Sequence, residues 1–231
     1  MKNDMIVTPK KYWPFVGLAC LCLGILPTLA KAEIDPRDSA RLQACITKID
    51  TTPMEAYEDG LVWRSQSGGA LAEQCVALAK IANGDVAGGA SRLAALARAP
   101  DAGDSDQRAL LLAKAANAWL MIEDYDPALR ALNAALLLKP SEVDLLIDRA
   151  RAYAGLVQWP KAQDDLTLAL SKRPRDSLIF RLRAETYVQT GNYGAAEQDI
   201  GEALRIAPRD IDAHLMRGRV IEARRLGRAP D

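Results

Sequence analysis

A sequence pattern that restarts at positions 109, 143 and 177 limits the possible folds of this protein more than any other feature. Segments 109–142, 143–176 and 177–210 align without a gap. Alanine recurs at the eighth, twentieth and twenty-seventh positions, and aromatic residues recur at the eleventh and seventeenth. The eighth, eleventh and thirty-second columns contain Ala116, Ala150 and Ala184; Trp119, Tyr153 and Tyr187; and Pro140, Pro174 and Pro208. One local structure is therefore expected three times in succession.

Each segment has the pattern of two antiparallel helices. The small residues let two helix axes approach closely, and the aromatic residues fill the space around that crossing. Proline lacks an N–H group and disfavours helix in the residue before it, so the proline column marks the end of the second helix. Because one helix pair cannot bury its apolar face alone, stacked pairs are expected to form a solenoid.

The period and its small–aromatic–alanine–proline columns resemble the tetratricopeptide repeat. The resemblance implies an all-α fold, a right-handed α-solenoid of antiparallel helix pairs. With the flanking segments included, we expect about five helix pairs and a C-terminal capping helix. The resemblance also implies a protein-binding function without identifying the partner.

The segments on both sides continue the repeat less regularly. Within 33–108 we predict degenerate helix pairs, with helices over 37–50, 54–65, 70–82 and 86–98. Residues 100–107 are rich in Asp, Ala and Gly and are predicted to form the longest linker and a hinge. Residues 211–231 are predicted to form a capping helix with a frayed tail.

The segment 1–32 has the pattern of a secretory signal peptide. Lys10 and Lys11 precede an apolar run over 12–29, and an Ala-Lys-Ala sequence ends at Ala32, after which we expect cleavage. The sequence thus predicts a periplasmic or secreted protein with no membrane insertion after cleavage. The alternative is an inner-membrane protein anchored by residues 12–29. Without residues 1–32 the chain has 26 basic and 29 acidic residues, and this near balance argues against a nucleic-acid partner.

Cys45 and Cys75 are the two cysteines that remain after such processing. They lie on the first helices of consecutive predicted units, which are neighbours in a stacked array. In an exported protein this placement favours a disulfide. Two buried thiols are the alternative.

The N-terminal half also resembles a set of exported alphaproteobacterial tetratricopeptide-repeat proteins. The resemblance depends on a Cys–Ile–Asp–Pro helix end followed by Trp, Gly-Gly and Cys: Cys45, Ile46, Asp50, Pro53, Trp63, Gly68, Gly69 and Cys75. It implies a location in the cell envelope and assigns no chemistry.

The family resemblance implies that the first helices line a concave groove that binds the partner. Carried over position by position, the candidate groove residues are Leu110, Asn117, Met121, Asp144, Ile147, Arg151, Leu178, Arg181, Glu185, Gln189, Leu215 and Arg219. This mixed surface suits a peptide or helix with an apolar anchor and some acidic character. A solvated helix face is the alternative reading at each position.

Family members that bind a C-terminal carboxylate use Lys, Asn and Arg at fixed groove positions. Here those positions hold Ala113, Asn117, Asp148, Leu178 and Leu182. Only Asn117 fits, so we do not expect a carboxylate clamp.

No pattern of catalytic or cofactor-binding residues is present in the sequence. His214 is the only histidine, and no Cys/His cluster with metal-ligand spacing remains after residue 32. We therefore predict a non-enzyme without a cofactor, an exported scaffold for protein–protein interaction or assembly of an envelope complex. The alternative is a regulatory or glycan-binding module of a cell-envelope enzyme system. Glycan sites use exposed aromatic residues, whereas the aromatic residues here recur in packing columns.

Two charged columns predict structural ion pairs inside the array. Arg149 and Arg183 occupy position 7 of their repeats, and Asp165 and Asp199 occupy position 23 of the same repeats. The first repeat has the uncharged pair Ala115 and Ala131 at these positions. Because charge appears at both positions or at neither, we expect the pairs Arg149–Asp165 and Arg183–Asp199. Arg217 repeats the arginine, and its partner would fall at position 233, beyond the given sequence.

Overall fold

A computed structural model describes residues 36–229 of the chain. The predicted signal peptide, its cleavage site and the alternative anchor over 12–29 lie outside the described residues. Within residues 36–229 the chain forms eleven α-helices and no strand: α1 Pro36–Ile49, α2 Pro53–Ser65, α3 Gly69–Ala82, α4 Val86–Leu96, α5 Ser105–Met121, α6 Tyr125–Leu138, α7 Val143–Gly155, α8 Trp159–Lys172, α9 Ser177–Gln189, α10 Tyr193–Ile206 and α11 Ile211–Leu226.

The helices pack as five successive pairs followed by a single helix. Each helix contacts the next along the chain, and α1 contacts α3, α5 contacts α7, and α9 contacts α11. Contacts between neighbours and next-neighbours define a solenoid, because each unit touches only the units beside it. The predicted all-α solenoid of five helix pairs and a capping helix is confirmed.

The repeated columns form the core as the sequence predicts. Ala116, Ala150 and Ala184 are buried on the first helix of each pair, where the second helix crosses it. Trp119 is also buried, whereas Tyr153 and Tyr187 are half-buried. The alanine columns of the second helices are fully enclosed, which lets the paired helices approach closely.

The loop inside each complete repeat contains one residue with positive φ. Glu123, Val157 and Gly191 occupy the same repeat position and have φ angles of 59°, 59° and 77°. The left-handed conformation is unfavourable for a residue with a Cβ, and most unfavourable for a β-branched one. Val157 therefore stores backbone strain that Gly191 avoids.

The predicted linker over 100–107 is shorter in the structure. Asp104 caps α5 through a capping box with Gln107, so residues 105–107 are already helical. The Arg108 guanidinium donates hydrogen bonds to the carbonyl oxygens of Ala97, Pro100 and Gly103 at 2.9, 3.3 and 3.0 Å. These bonds tie the loop before α5 to the helix that follows, which the composition of the segment did not indicate.

The structure joins Cys45 of α1 to Cys75 of α3 by a disulfide, with a Cα–Cα distance of 6.1 Å. Both residues are buried beside Trp63 in a separate apolar cluster of the N-terminal helices. The bridge links the first helices of the first two pairs, as predicted from their place in the sequence.

Candidate functional site

The first helices of the second and third complete repeats enclose a pocket of about 390 Å³ between α7 and α9. It is lined by four charged and three apolar residues: Asp144, Ile147, Asp148, Arg151, Leu178, Arg181 and Leu182. We call it the α7–α9 pocket. Five of these seven residues were predicted to line the groove, and they come together because the first helices stand side by side in the solenoid.

The apolar part of the pocket is formed by residues of both helices. Leu178 is 39% exposed, so its side chain is available to a bound molecule. Ile147 lines the pocket as predicted, but it is only 6% exposed and also belongs to the core. Its position in the core lets it form the base of the pocket. Leu182 is half-buried beside it.

Charged side chains surround this apolar base. Arg151 Nη1 lies 3.4 Å from Asp148 Oδ1, and Arg181 Nη2 lies 3.5 Å from Asp212 Oδ2. Arg181 Nε is shielded from solvent and has no hydrogen-bond partner among residues 36–229. The long Nη contacts leave Nη–H groups of both arginines able to donate to a ligand, whereas Arg181 Nε is not accessible to one.

The two acidic residues of the pocket differ in their surroundings. Asp144 accepts a hydrogen bond from Arg173 Nη1 at 2.6 Å, and this contact lowers the pKa of the Asp144 carboxyl. Burial raises the pKa of the Asp148 carboxyl, and this effect outweighs the opposing influence of Arg151 and the Asn117 amide. The Asp148 carboxylate is thus partly shielded from water.

The other predicted groove residues fall into two groups. On α5, Leu110, Asn117 and Met121 are exposed, and Met121 is 71% accessible. On α9 and α11, Arg219 donates to both carboxylate oxygens of Glu185 at 2.6 and 2.9 Å. None of these residues lines the α7–α9 pocket.

The Glu185–Arg219 pair links the last complete repeat to α11. Gln189 donates to Glu185 Oε1 at 3.1 Å and extends the same network. Leu215 lies one helical turn before Arg219 on α11 and is 64% exposed. Three of the predicted groove residues are thus engaged with one another.

Both predicted ion pairs are present. Arg149 Nε and Nη2 donate to Asp165 Oδ2 and Oδ1 at 2.8 and 2.7 Å. Arg183 makes the same two bonds to Asp199 at 2.7 and 2.9 Å. The carboxylates are buried, which makes these contacts structural parts of the helix pairs.

Asp148 and Leu182 line the pocket but were not among the predicted groove residues. Both occupy positions at which the tetratricopeptide-repeat resemblance would place clamp residues. The family positions therefore predict where the pocket lies, although Asp148 and Leu182 are not residues that could bind a carboxylate.

Residues 36–229 hold a single histidine and no cluster of potential metal ligands. His214 is exposed, and its Nε2 lies 2.9 Å from the Pro208 carbonyl oxygen. No group of three or more His, Cys, Asp or Glu residues within 36–229 could hold a metal ion. No helix in this part of the chain is long and apolar enough to cross a membrane.

A scan against protein-family models finds no match for this sequence, and a search of curated proteins finds none either. Among solved structures, MamA (residue 41 to the end) from Desulfovibrio magneticus RS-1 superposes with a TM-score of 0.64 at 16% identity, covering 76% of this chain and 96% of that chain. A tetratricopeptide repeat protein from Parabacteroides merdae superposes with a TM-score of 0.57 at 21% identity, covering 74% of this chain and 61% of that chain. The chain has the tetratricopeptide-repeat fold.

A third tetratricopeptide-repeat structure contains a bound peptide. The first repeat domain of Spaghetti (RPAP3), bound to the HSP90 peptide SRMEEVD, superposes with a TM-score of 0.50 at 23% identity, covering 53% of this chain and 96% of that chain. At these identities the comparisons establish the tetratricopeptide-repeat fold of this chain.

Proposed function

We propose that this tetratricopeptide-repeat protein is an exported scaffold that binds a peptide or helical segment of a partner protein through the groove formed by its first helices. The proposal is based mainly on the α7–α9 pocket. Its volume of about 390 Å³ accommodates one or two side chains, and it combines an apolar base with charged walls. The peptide bound by the Spaghetti domain gives a precedent for this use of the fold.

The pocket selects a particular kind of segment. An apolar side chain would bury against Ile147, Leu178 and Leu182. An acidic side chain next to it would accept hydrogen bonds from Arg151 and Arg181, whose N–H groups are incompletely paired. A terminal carboxylate directed at Asp148 would meet a negative charge, so an internal segment is favoured over a C-terminus.

We also propose that the protein works in the periplasm or is secreted, in assembly of an envelope complex. The support is the signal-peptide pattern over residues 1–32. Intact-mass measurement of protein purified from the exporting cell should find an N-terminus at Glu33. A membrane-bound species that retains residues 1–32 would instead support the inner-membrane anchor.

Peptide selection tests the binding proposal. Displayed random peptides are selected on the mature protein, and the enriched sequences are measured by isothermal titration calorimetry. We expect an apolar residue adjacent to Asp or Glu in the enriched sequences. Leu178→Ala should weaken binding by about tenfold or more, because burying an aliphatic side chain contributes roughly 1.5–3 kcal/mol.

Leu137 of α6 provides the matched control, because it is an exposed leucine on a second helix. Leu137→Ala should leave the affinity unchanged. Enrichment of basic peptides, or equal effects of the two leucine substitutions, would contradict the proposed site.

A further inference from the structure

The outer face of α11 holds the residues that correspond to the first-helix columns of a repeat, and within residues 36–229 no second helix packs against it. Gly218 and Ile221 occupy the columns that in the complete repeats hold alanine and an aromatic residue. Ile221 is 58% exposed, whereas Trp119 in the same column is 8% exposed. No neighbouring element within residues 36–229 comes within 4 Å of where a Cβ on Gly218 would lie. This surface is the α11 face, defined by Arg217, Gly218 and Ile221.

Arg217 lacks both contacts that its counterparts make. Arg149 binds Asp165 on its own second helix and Asn133 on the preceding one. Arg183 likewise binds Asp199 and Thr167. For Arg217 the preceding helix offers Gly201, which has no side chain.

Within residues 36–229, Arg217 has no hydrogen-bond or ion-pair partner, and it is exposed. An exposed arginine alone indicates nothing. Its counterparts in the complete repeats, Arg149 and Arg183, each bind a buried carboxylate. A carboxylate is therefore the ligand expected for Arg217.

We propose that the α11 face is a second binding surface, which docks an amphipathic helix of a partner protein and thereby completes a helix pair between two molecules. The second helices of this chain define the chemistry of that helix. In α8 the residues that face the first helix are Ala162, Asp165, Leu166 and Ala169, and in α10 they are Ala196, Asp199, Ile200 and Ala203. The docked helix therefore carries the pattern Ala-x-x-Asp-(Leu/Ile)-x-x-Ala. Its aspartate pairs with Arg217, and its alanines allow close approach at Gly218.

Charge favours such an acidic helix over a second copy of α11. Three of the four arginines of α11 and both of its acidic residues already have ion-pair partners in this chain. Arg217 is the exception within residues 36–229, so a symmetric pairing of two α11 faces would bring two unpaired arginines together with no free carboxylate between them. An aspartate supplied by a different helix meets no such repulsion.

A peptide of this protein's own α10 provides a defined probe. Residues 192–206, acetylated and amidated, include the Asn192 cap and Asp199. The labelled mature protein is titrated with this peptide, and amide shifts are followed by NMR, which detects weak binding by short helices. The matched control peptide carries Asp199→Lys.

The expected result is shifts at Arg217, Gly218 and Ile221 with the aspartate peptide. Arg217→Glu should weaken binding of that peptide by about tenfold and should restore binding of the lysine peptide. This exchange of charge preference is the required signature, because nonspecific apolar contact would not produce it.

The proposal would be overturned by the absence of α11 shifts, by shifts of equal size with both peptides, or by concentration-dependent α11 shifts without peptide, which would show a second copy as the occupant. Shifts confined to the α7–α9 pocket would also overturn it while leaving the groove proposal intact. Leu178→Ala distinguishes the surfaces, because it should leave peptide binding at α11 unchanged.

Discussion

Removal of Arg149 should destabilise the second complete repeat more than removal of its partner. Arg149→Ala leaves the Asp165 carboxylate, which is 6% exposed, without the two guanidinium donors that satisfy it. Removing the arginine leaves a buried negative charge on Asp165 without compensation. We therefore expect a loss of about 3 kcal/mol in the free energy of unfolding. The neighbouring core gives the carboxylate little room to reach water.

Asp165→Ala should cost less. The Arg149 side chain is 22% exposed and keeps its 3.0 Å hydrogen bond to Asn133, so it can turn towards solvent. We expect a loss of about 1 kcal/mol. The double variant recreates the Ala115 and Ala131 arrangement of the first repeat and should also cost about 1 kcal/mol, which makes the coupling free energy about 3 kcal/mol.

Native-state hydrogen exchange at the amides of α7 and α8 measures these losses. It is preferable to a single melting curve because repeats open in part independently of one another. The Arg183–Asp199 pair is the matched control, because its geometry is the same, and it should give a similar coupling. A coupling free energy below about 0.5 kcal/mol at both pairs would show that the arginine and aspartate do not stabilise each other.

Three further predictions concern the pocket, the loops and the disulfide. Burial raises the folded-state pKa of Asp148 above its ordinary value of 3.8, so ionised Asp148 opposes folding at neutral pH. Asp148→Asn should therefore be the more stable form at pH 7, and its advantage in melting temperature should shrink as the pH falls through the raised pKa towards 3.8; a pH-independent difference would contradict this. Val157→Gly should raise the free energy of unfolding by about 1 kcal/mol by relieving the positive φ, and Gly191→Val should lower it by a similar amount, both measured by urea unfolding. Cys45→Ala with Cys75→Ala should cost about 3–4 kcal/mol, and native protein should have no titratable thiol; two reactive thiols in native protein would show that the bridge is absent.

The elements that recur in the sequence were the ones that could be predicted from it. Each repeat unit packs against the same kind of neighbours, so the residues in one alanine or aromatic column share one packing environment. Recurrence of the same residue type in a column therefore reveals that environment. The Arg149–Asp165 and Arg183–Asp199 pairs could be inferred for the same reason. Positive charge at position 7 of a complete repeat was always matched by negative charge at position 23.

Features that occur once could not be predicted in this way. The Arg108 contacts that fix the loop before α5 have no counterpart in another repeat. The depth of Ile147 and the desolvation of Asp148 depend on the spacing between α7 and α9, which a position in the sequence does not specify. Pairing of Glu185 with Arg219 likewise depends on how α11 lies against α9.

The central claim is that the groove of the first helices binds a protein, and site-specific photo-crosslinking in intact cells tests it most directly. A photoreactive residue replaces Leu178 in the pocket or Leu137 on α6 in otherwise unchanged protein, and the adducts are identified by mass spectrometry. We expect one recurrent protein adduct at Leu178, mapped to a segment with an apolar residue beside an acidic one, and none at Leu137. Adducts at Leu137 alone, or polysaccharide trapped at Leu178 with no protein, would contradict it.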